Sequence, residues 1–242
     1  MAQERSYGQF CPVSKAAQIF CVRWTPLILR DLGAGATRFS DLQRGVPLMS
    51  PSLLSSRLKE LEREGIVERR KAERGRGSTY HLTPSGEELV PLVKLLGTWG
   101  QRWSRRELEE GELDIGLLIF GMEMGVNAAA LPPERCVIQL EFGDQPANKR
   151  HFWFVNEAGC VAVCLEPPED EADLVLITSL RTMVEIWMGD RSLTSALDSD
   201  HLIVDGPTRL KRLLRAWLAL SPFAGVRPAR RASAAVEDRT TA

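Results

Sequence analysis

Leucines recur at Leu54, Leu58 and Leu61 in the stretch SPSLLSSRLKELEREGIVERR (50–70), an i, i+4, i+7 series that lays one apolar stripe along a helix. Ser50 is a strong N-cap type, Pro51 suits the first helical position, and Gly65 stands where a helix C-terminal glycine belongs. The side away from the stripe carries Ser52, Ser55, Ser56, Lys59 and Arg63. Upstream, CPVSKAAQIFCVRWTPLILRDL (11–32) predicts two short helices broken near Val22 and Arg23, with Trp24, Leu27, Ile28 and Leu32 on the inner side of the second. TRFSDLQRG (37–45) predicts a third, burying Phe39 and Leu42. After Gly65 come two strands, IVERRK and TYHLT, joined by AERGRGS, a flexible basic hairpin tip that carries Arg74 and Arg76. From Pro84 to Arg106 a period of 3 to 4 aligns Leu89, Leu92, Val93, Leu96, Trp99 and Trp103 on one helix. That is more apolar surface than a three-helix domain needs; it predicts a dimer interface, with packing against the chain's own second domain as the alternative.

The pattern then changes. CVIQLEF (136–142), RHFWFV (150–155), CVAVCLE (160–166) and DLVLITS (173–179) predict four strands, with a hairpin turn at Glu157–Gly159. SLRTMVEIWMG (179–189) is a capped helix, SLTSALDSD a short second helix, LIVDG a fifth strand, and PTRLKRLLRAWLAL a last helix with the stripe Leu210, Leu213, Leu214, Trp217 and Leu218. The succession predicts an α+β sheet with helices on one face. Between the halves, the apolar window Leu113–Leu131 contains Asp114, Glu123 and several glycines, which suits a buried helix better than a membrane span.

Charge sharpens this division. Residues 1–106 hold 18 Lys+Arg against 10 Asp+Glu, a net of +8, whereas 107–242 hold 13 against 22, a net of −9. A basic half fused to an acidic half implies two jobs, with any polyanion meeting the first. The expected organisation is a domain over 1–106, a helical linker over 107–134, a second domain over 135–225 and a disordered tail over 226–242. Five cysteines without a CxxC pair, and the absence of a secretory leader pattern, suit reduced thiols in a cytoplasm.

Helices, a turn, an amphipathic helix and a basic hairpin form the winged helix-turn-helix plan, whose partner is double-stranded DNA. A helix fits the major groove, its N-terminus and short hydroxyls bond phosphates and base edges, and cations neutralise phosphates. An arginine-bearing hairpin enters the adjacent narrow groove. On this plan Ser50 and Pro51 open the reading helix, and Ser52, Ser55, Ser56 and Lys59 reach base edges or phosphates. Arg38, Arg57 and Arg63 hold the backbone, and Arg74 and Arg76 serve the wing. Taken alone, a Ser/Lys/Arg helix face is more often plain solvated surface; the flanking turn, hairpin and local charge decide for DNA.

Residues 11 to about 105 resemble the HxlR family of bacterial winged-helix transcriptional regulators. The matching pieces are Cys11-Pro12, RWTPLILRDL from Arg23, RFSDLQRGVP from Arg38, LLSSRLKELEREGIVERR from Leu53, YHLTPSGEEL from Tyr80 and Trp99-Gly100. Where the family often has Gly-Ile-Ser before the recognition helix, this chain has Leu48-Met49-Ser50. The resemblance implies a homodimer on a near-palindromic site, repression rather than activation, and a sensor role for a cysteine such as Cys11. The second half resembles the sterol carrier protein family, through ADLVLITSLRTMVEIWMGDRSLTSAL and HLIVDGPTRLKRLL. That likeness implies an apolar tunnel for a lipid-like small molecule, lined by Phe152, Phe154, Met183, Trp187, Met188, Leu197, Leu213 and Trp217. The same stripes also suit ordinary core.

Three readings of function follow. The first is a dimeric regulator whose DNA affinity an apolar ligand modulates. The second is a redox- or electrophile-sensing regulator acting through Cys11 with a structural C-terminal domain. The third is a lipid-binding carrier whose helix-turn-helix makes protein contacts. His81, His151 and His201 lie far apart without ligand-spaced neighbours, and neither a Walker A loop nor a GxSxG elbow occurs, so no metal, cofactor or enzymatic activity is expected.

Overall fold

The structure, a computed structural model, describes residues 6–72, 77–104 and 108–229. Helix α1 (Pro12–Phe20) and helix α2 (Thr25–Gly33) are separated at Trp24, whose left-handed φ of 78° breaks the run. Because α2 starts only after Trp24, its inward face is Ile28, Leu29 and Leu32; Leu27, expected inside, is 38% exposed. Helix α3 (Phe39–Gly45) leads into α4 (Pro51–Arg63). The Ser50 Oγ accepts from Leu53 N at 3.3 Å, and Gly65 takes the positive φ of 69° that a helix C-terminal glycine supplies without strain. Strands β1 (Val67–Lys71) and β2 (Ser78–Leu82) pair antiparallel, Val67 opposite Leu82. Tyr80 N donates to Thr37 O at 2.8 Å, tying the hairpin to the start of α3.

The single helix expected over 84–106 is three pieces: α5 (Pro84–Glu87), α6 (Val90–Trp99) and a π-helical turn, Gly100–Ser104. Pro91 lacks the N–H that would continue a helix out of α5. The break rotates α6, so Val93, expected at a dimer interface, is instead buried with Ile28, Leu29, Leu32, Leu42, Leu54, Leu58 and Leu61, and Leu89 packs on the same core. Each such leucine withdrawn from water is worth about 1.5–3 kcal/mol.

Helix α7 (Ile115–Gly125), in the segment expected as a linker, is opened by Asp114, whose Oδ1 accepts from Leu117 N at 2.8 Å. It belongs to both cores. Ile115, Leu118, Ile119 and Met122 pack into the C-terminal core, while Phe120 packs among the leucines of the N-terminal one.

The C-terminal domain is a five-stranded sheet of β3 (Cys136–Phe142), β4 (His151–Glu157), β5 (Cys160–Cys164), β6 (Leu174–Thr178) and β7 (Leu202–Asp205), in the order β5-β4-β3-β6-β7. The β3–β6 pair is parallel and the others antiparallel. Helices α8 (Leu180–Met188), α9 (Leu193–Asp198) and α10 (Thr208–Trp217) complete it. Ser179 caps α8 by accepting from Thr182 N at 3.1 Å, and Gly189 ends it at a φ of 81°. The chain then returns to the first domain: a Cβ on Gly97 of α6 would lie 2.2 Å from the Phe223 ring. Ala229 N donates to Arg102 O at 2.8 Å, so residues 226–229, expected in a disordered tail, are tied to the π-helical turn. Among the described residues, no helix is long and apolar enough to cross a membrane.

Candidate nucleic-acid interface

The outward face of α4 is built by the burial of its other side. With Leu54, Leu58 and Leu61 closed into the core, Pro51, Ser52, Ser56, Lys59 and Arg63 are exposed and Ser55 half-buried. Arg57 departs from the expected role. It lies within 40° of Leu61 at 100° per residue, is 7% exposed, and its guanidinium pairs with Glu60 three residues on. It braces the helix instead of facing a phosphate. Arg63 remains outward, its Nε 3.6 Å from Glu64 Oε1, a contact that an exposed pair gives up at little cost.

The approach to α4 is fixed by polar contacts. Gln43 Nε2 donates to Met49 O at 2.6 Å and lies 3.4 Å from Val46 O. Met49 is buried and Leu48 exposed, so the Leu48-Met49-Ser50 turn is anchored through its middle residue. One layer below, Arg30 Nε donates to Asp31 Oδ1 at 2.7 Å, and Arg30 Nη2 donates to Gly45 O at 2.8 Å. Burial pushes the Asp31 carboxyl above the ordinary carboxylate value, with Arg30 opposing the shift. A Cβ at Gly45 would lie 1.9 Å from Asp31 Oδ2, so this junction needs glycine for a close approach and not for its φ.

Arg38 is exposed at the N-cap of α3, its backbone bridged to Thr79 of the wing. Arg74 and Arg76 lie outside the described residues. Strand β1 supplies further exposed cations at Arg69, Arg70 and Lys71, of which Arg70 pairs with Glu68. These three were not singled out from sequence, although the consecutive RRK run after the apolar Ile66-Val67 start is a signal for them. Lys59, Arg63 and the strand cations bring positive charge to the helix and to the wing, the chemistry a phosphate backbone neutralises.

Beside this unit, α6 and the following turn expose Leu92, Leu96, Trp99 and Trp103, together with Leu95 at 65%, which the sequence stripe omitted. Cys11 stands partly exposed at the N-cap of α1, its carbonyl accepting from Lys15 N at 3.1 Å and Ser14 Oγ at 2.8 Å.

Of the expected tunnel residues, Phe152, Phe154, Met183 and Trp217 are buried in the C-terminal core. Trp187, Leu197 and Leu213 pack against that core, and Met188 is half-buried. Leu197 also lines a surface pocket of about 320 Å³ with Asp200, Leu202, Ile203, Val204, Lys211 and Leu214. Burial, then Asp173, push the Cys136 thiol up to about 11.

Comparison with known proteins follows the first half of the chain. Residues 19–108 match the family described as HxlR-like helix-turn-helix. The HTH-type transcriptional regulator YvaP of Bacillus subtilis (strain 168) is 38% identical over 98 residues, 40% of this chain and 91% of YvaP. The HTH-type transcriptional regulator YodB of the same organism is 33% identical over 95 residues, 38% of this chain and 85% of YodB. Among solved structures, the redox regulator HypR in its oxidized form is 29% identical with a TM-score of 0.37, covering 40% of this chain and 100% of HypR.

Proposed function

Because this chain belongs to the HxlR-like helix-turn-helix family of transcriptional regulators, we propose that it places α4 in the major groove of double-stranded DNA. Ser52, Ser55, Ser56 and Lys59 face the bases and nearby phosphates, and Arg63 and Arg38 face the flanking backbone. The wing reaches the neighbouring groove through Arg69, Arg70 and Lys71, with Arg74 and Arg76 beyond them. The observation that carries this reading is the division of α4: leucines and a paired Arg57 inward, hydroxyls and cations outward, with a capped N-terminus between.

Two copies act together in this proposal, joined along Leu92, Leu95, Leu96, Trp99 and Trp103, and their reading helices meet half-sites about 34 Å apart. Repression is proposed on the family likeness alone. For the C-terminal domain, the sheet order with its covering helices supports the sterol-carrier likeness. A small apolar effector would enter near the surface pocket that Leu197 lines with Leu202, Val204 and Leu214. Cys11 at its exposed helix start supports the alternative effector, an oxidant or electrophile. Selection of duplexes from a random 30-base-pair library by the full-length protein, with and without Lys59→Ala, tests the central reading. Enrichment of a near-palindromic sequence, lost in the variant, is expected; no enrichment by the wild type refutes it.

A further inference from the structure

Helix α7 carries one acidic side chain at the seam between its two buried faces, and that side chain touches both halves of the protein. Glu123 Oε1 accepts from Val163 N of the edge strand β5 at 3.3 Å. Glu123 Oε2 is buried without an aligned hydrogen-bond donor; its partner is the charge of Arg44, whose Nη2 lies 2.7 Å away. The Arg44 guanidinium also stands 5.3 Å from the centroid of Phe120, one turn earlier on α7. Arg44 is the neighbour of Gln43, the residue that holds the turn into α4 through Met49 O.

We infer that Glu123 and Arg44 are positioning residues through which the C-terminal domain sets the placement of the recognition helix. The path is continuous: β5 backbone, Glu123, Arg44, α3, the Gln43-held turn, then the Ser50 cap of α4. The carboxylate is 20% exposed, so water screens the pair only in part, and the Phe120 ring beside the Arg44 guanidinium adds a second contact from the same helix. A contact of this kind gives the C-terminal domain a lever on DNA affinity without touching DNA. Anything that displaces β5 or α7 moves the Glu123 carboxylate, and α3 follows.

The proposal rests on the DNA-binding reading and is tested on the full-length protein. The probe is the duplex that the wild type selects from the random library, and the readout is fluorescence anisotropy over a range of salt. Glu123→Gln keeps the acceptor for Val163 N and the side-chain shape but removes the charge facing Arg44. It should weaken binding about fivefold, the scale of a modest coupling between sites. Its log affinity against log salt should run parallel to the wild-type line, because no phosphate contact is lost. Arg44→Gln should weaken binding to the same extent, and the Arg44→Gln/Glu123→Gln double variant no further. A Glu123→Gln affinity within twofold of wild type overturns the proposal. So does an Arg44→Gln loss that adds to that of Glu123→Gln and flattens the salt dependence, since Arg44 would then be touching phosphate itself. A wild type that selects and binds no duplex removes the DNA reading, and this inference with it.

Discussion

Replacing Gly45 by alanine probes the junction that presents α4. The new Cβ would lie 1.9 Å from Asp31 Oδ2 and 2.6 Å from Asp31 Cγ, while Asp31 is held by Arg30, which also donates to Gly45 O. The carboxylate is the group that must move, and moving it separates a pair whose acid is 4% exposed and whose base is 34% exposed. Breaking a fully buried pair costs about 3–5 kcal/mol, and the partial exposure of Arg30 brings the expectation to about 2–4. Alanine returns up to about 1 kcal/mol of helix propensity, leaving a net loss of about 1–3. Urea unfolding of the full-length protein, followed by far-UV circular dichroism, measures this. Asp31→Ala removes the obstructing atoms, so Gly45→Ala in that background should cost less than about 0.5 kcal/mol, and the cycle should show a coupling of about 2. A Gly45→Ala variant as stable as the wild type refutes the argument, as does the same loss in both backgrounds.

Other expectations follow from the same structure. Leu95→Asp with Leu96→Asp should convert a dimeric wild type to monomers in sedimentation velocity; an unchanged dimer rejects α6 as the interface. Thiol titration of the native protein should modify Cys21 and Cys160 readily and leave Cys136 unmodified until unfolding, in keeping with their exposed and buried positions. The Cys136 pKa of about 11 exceeds the ordinary 9.0, so folding favours the neutral thiol. Its contribution is fully present below pH 9.0 and is lost as pH rises through about 11. The wild type should therefore lose on the order of 2–3 kcal/mol more than Cys136→Ala across that window. Gly97→Val should dislodge the Phe223 ring and open the 221–229 segment to protease; wild-type protection in the variant contradicts that packing.

Much of this fold was legible wherever a cap and a period agreed. Ser50, Pro51 and Gly65 bound α4, and the Ser179 and Gly189 pair bounds α8, because each terminus is marked by a residue with a local physical reason to be there. Arg57 was missed although its angle beside Leu61 was available: residue type was weighed above helical position. The stripe over 84–106 showed that Val93 is apolar and periodic, but not which neighbour covers it, and the Pro91 break sends it inward. The same ambiguity applies to Phe152, Phe154, Met183 and Trp217, since a stripe of large side chains reports burial and not what fills the space between them. The junction of Glu123 with Arg44 and Val163 joins residues far apart in the chain, and no local pattern encodes it.

The central claim is that the outward face of α4 meets a phosphate backbone. Its most direct test is the salt dependence of duplex binding by the wild type and by Lys59→Ala. If a dimer neutralises about six phosphates, log affinity falls with log salt at a slope near −5, and removing one contact per subunit brings it to about −3.6. A wild-type slope near zero, or a slope that Lys59→Ala leaves unchanged, contradicts the account.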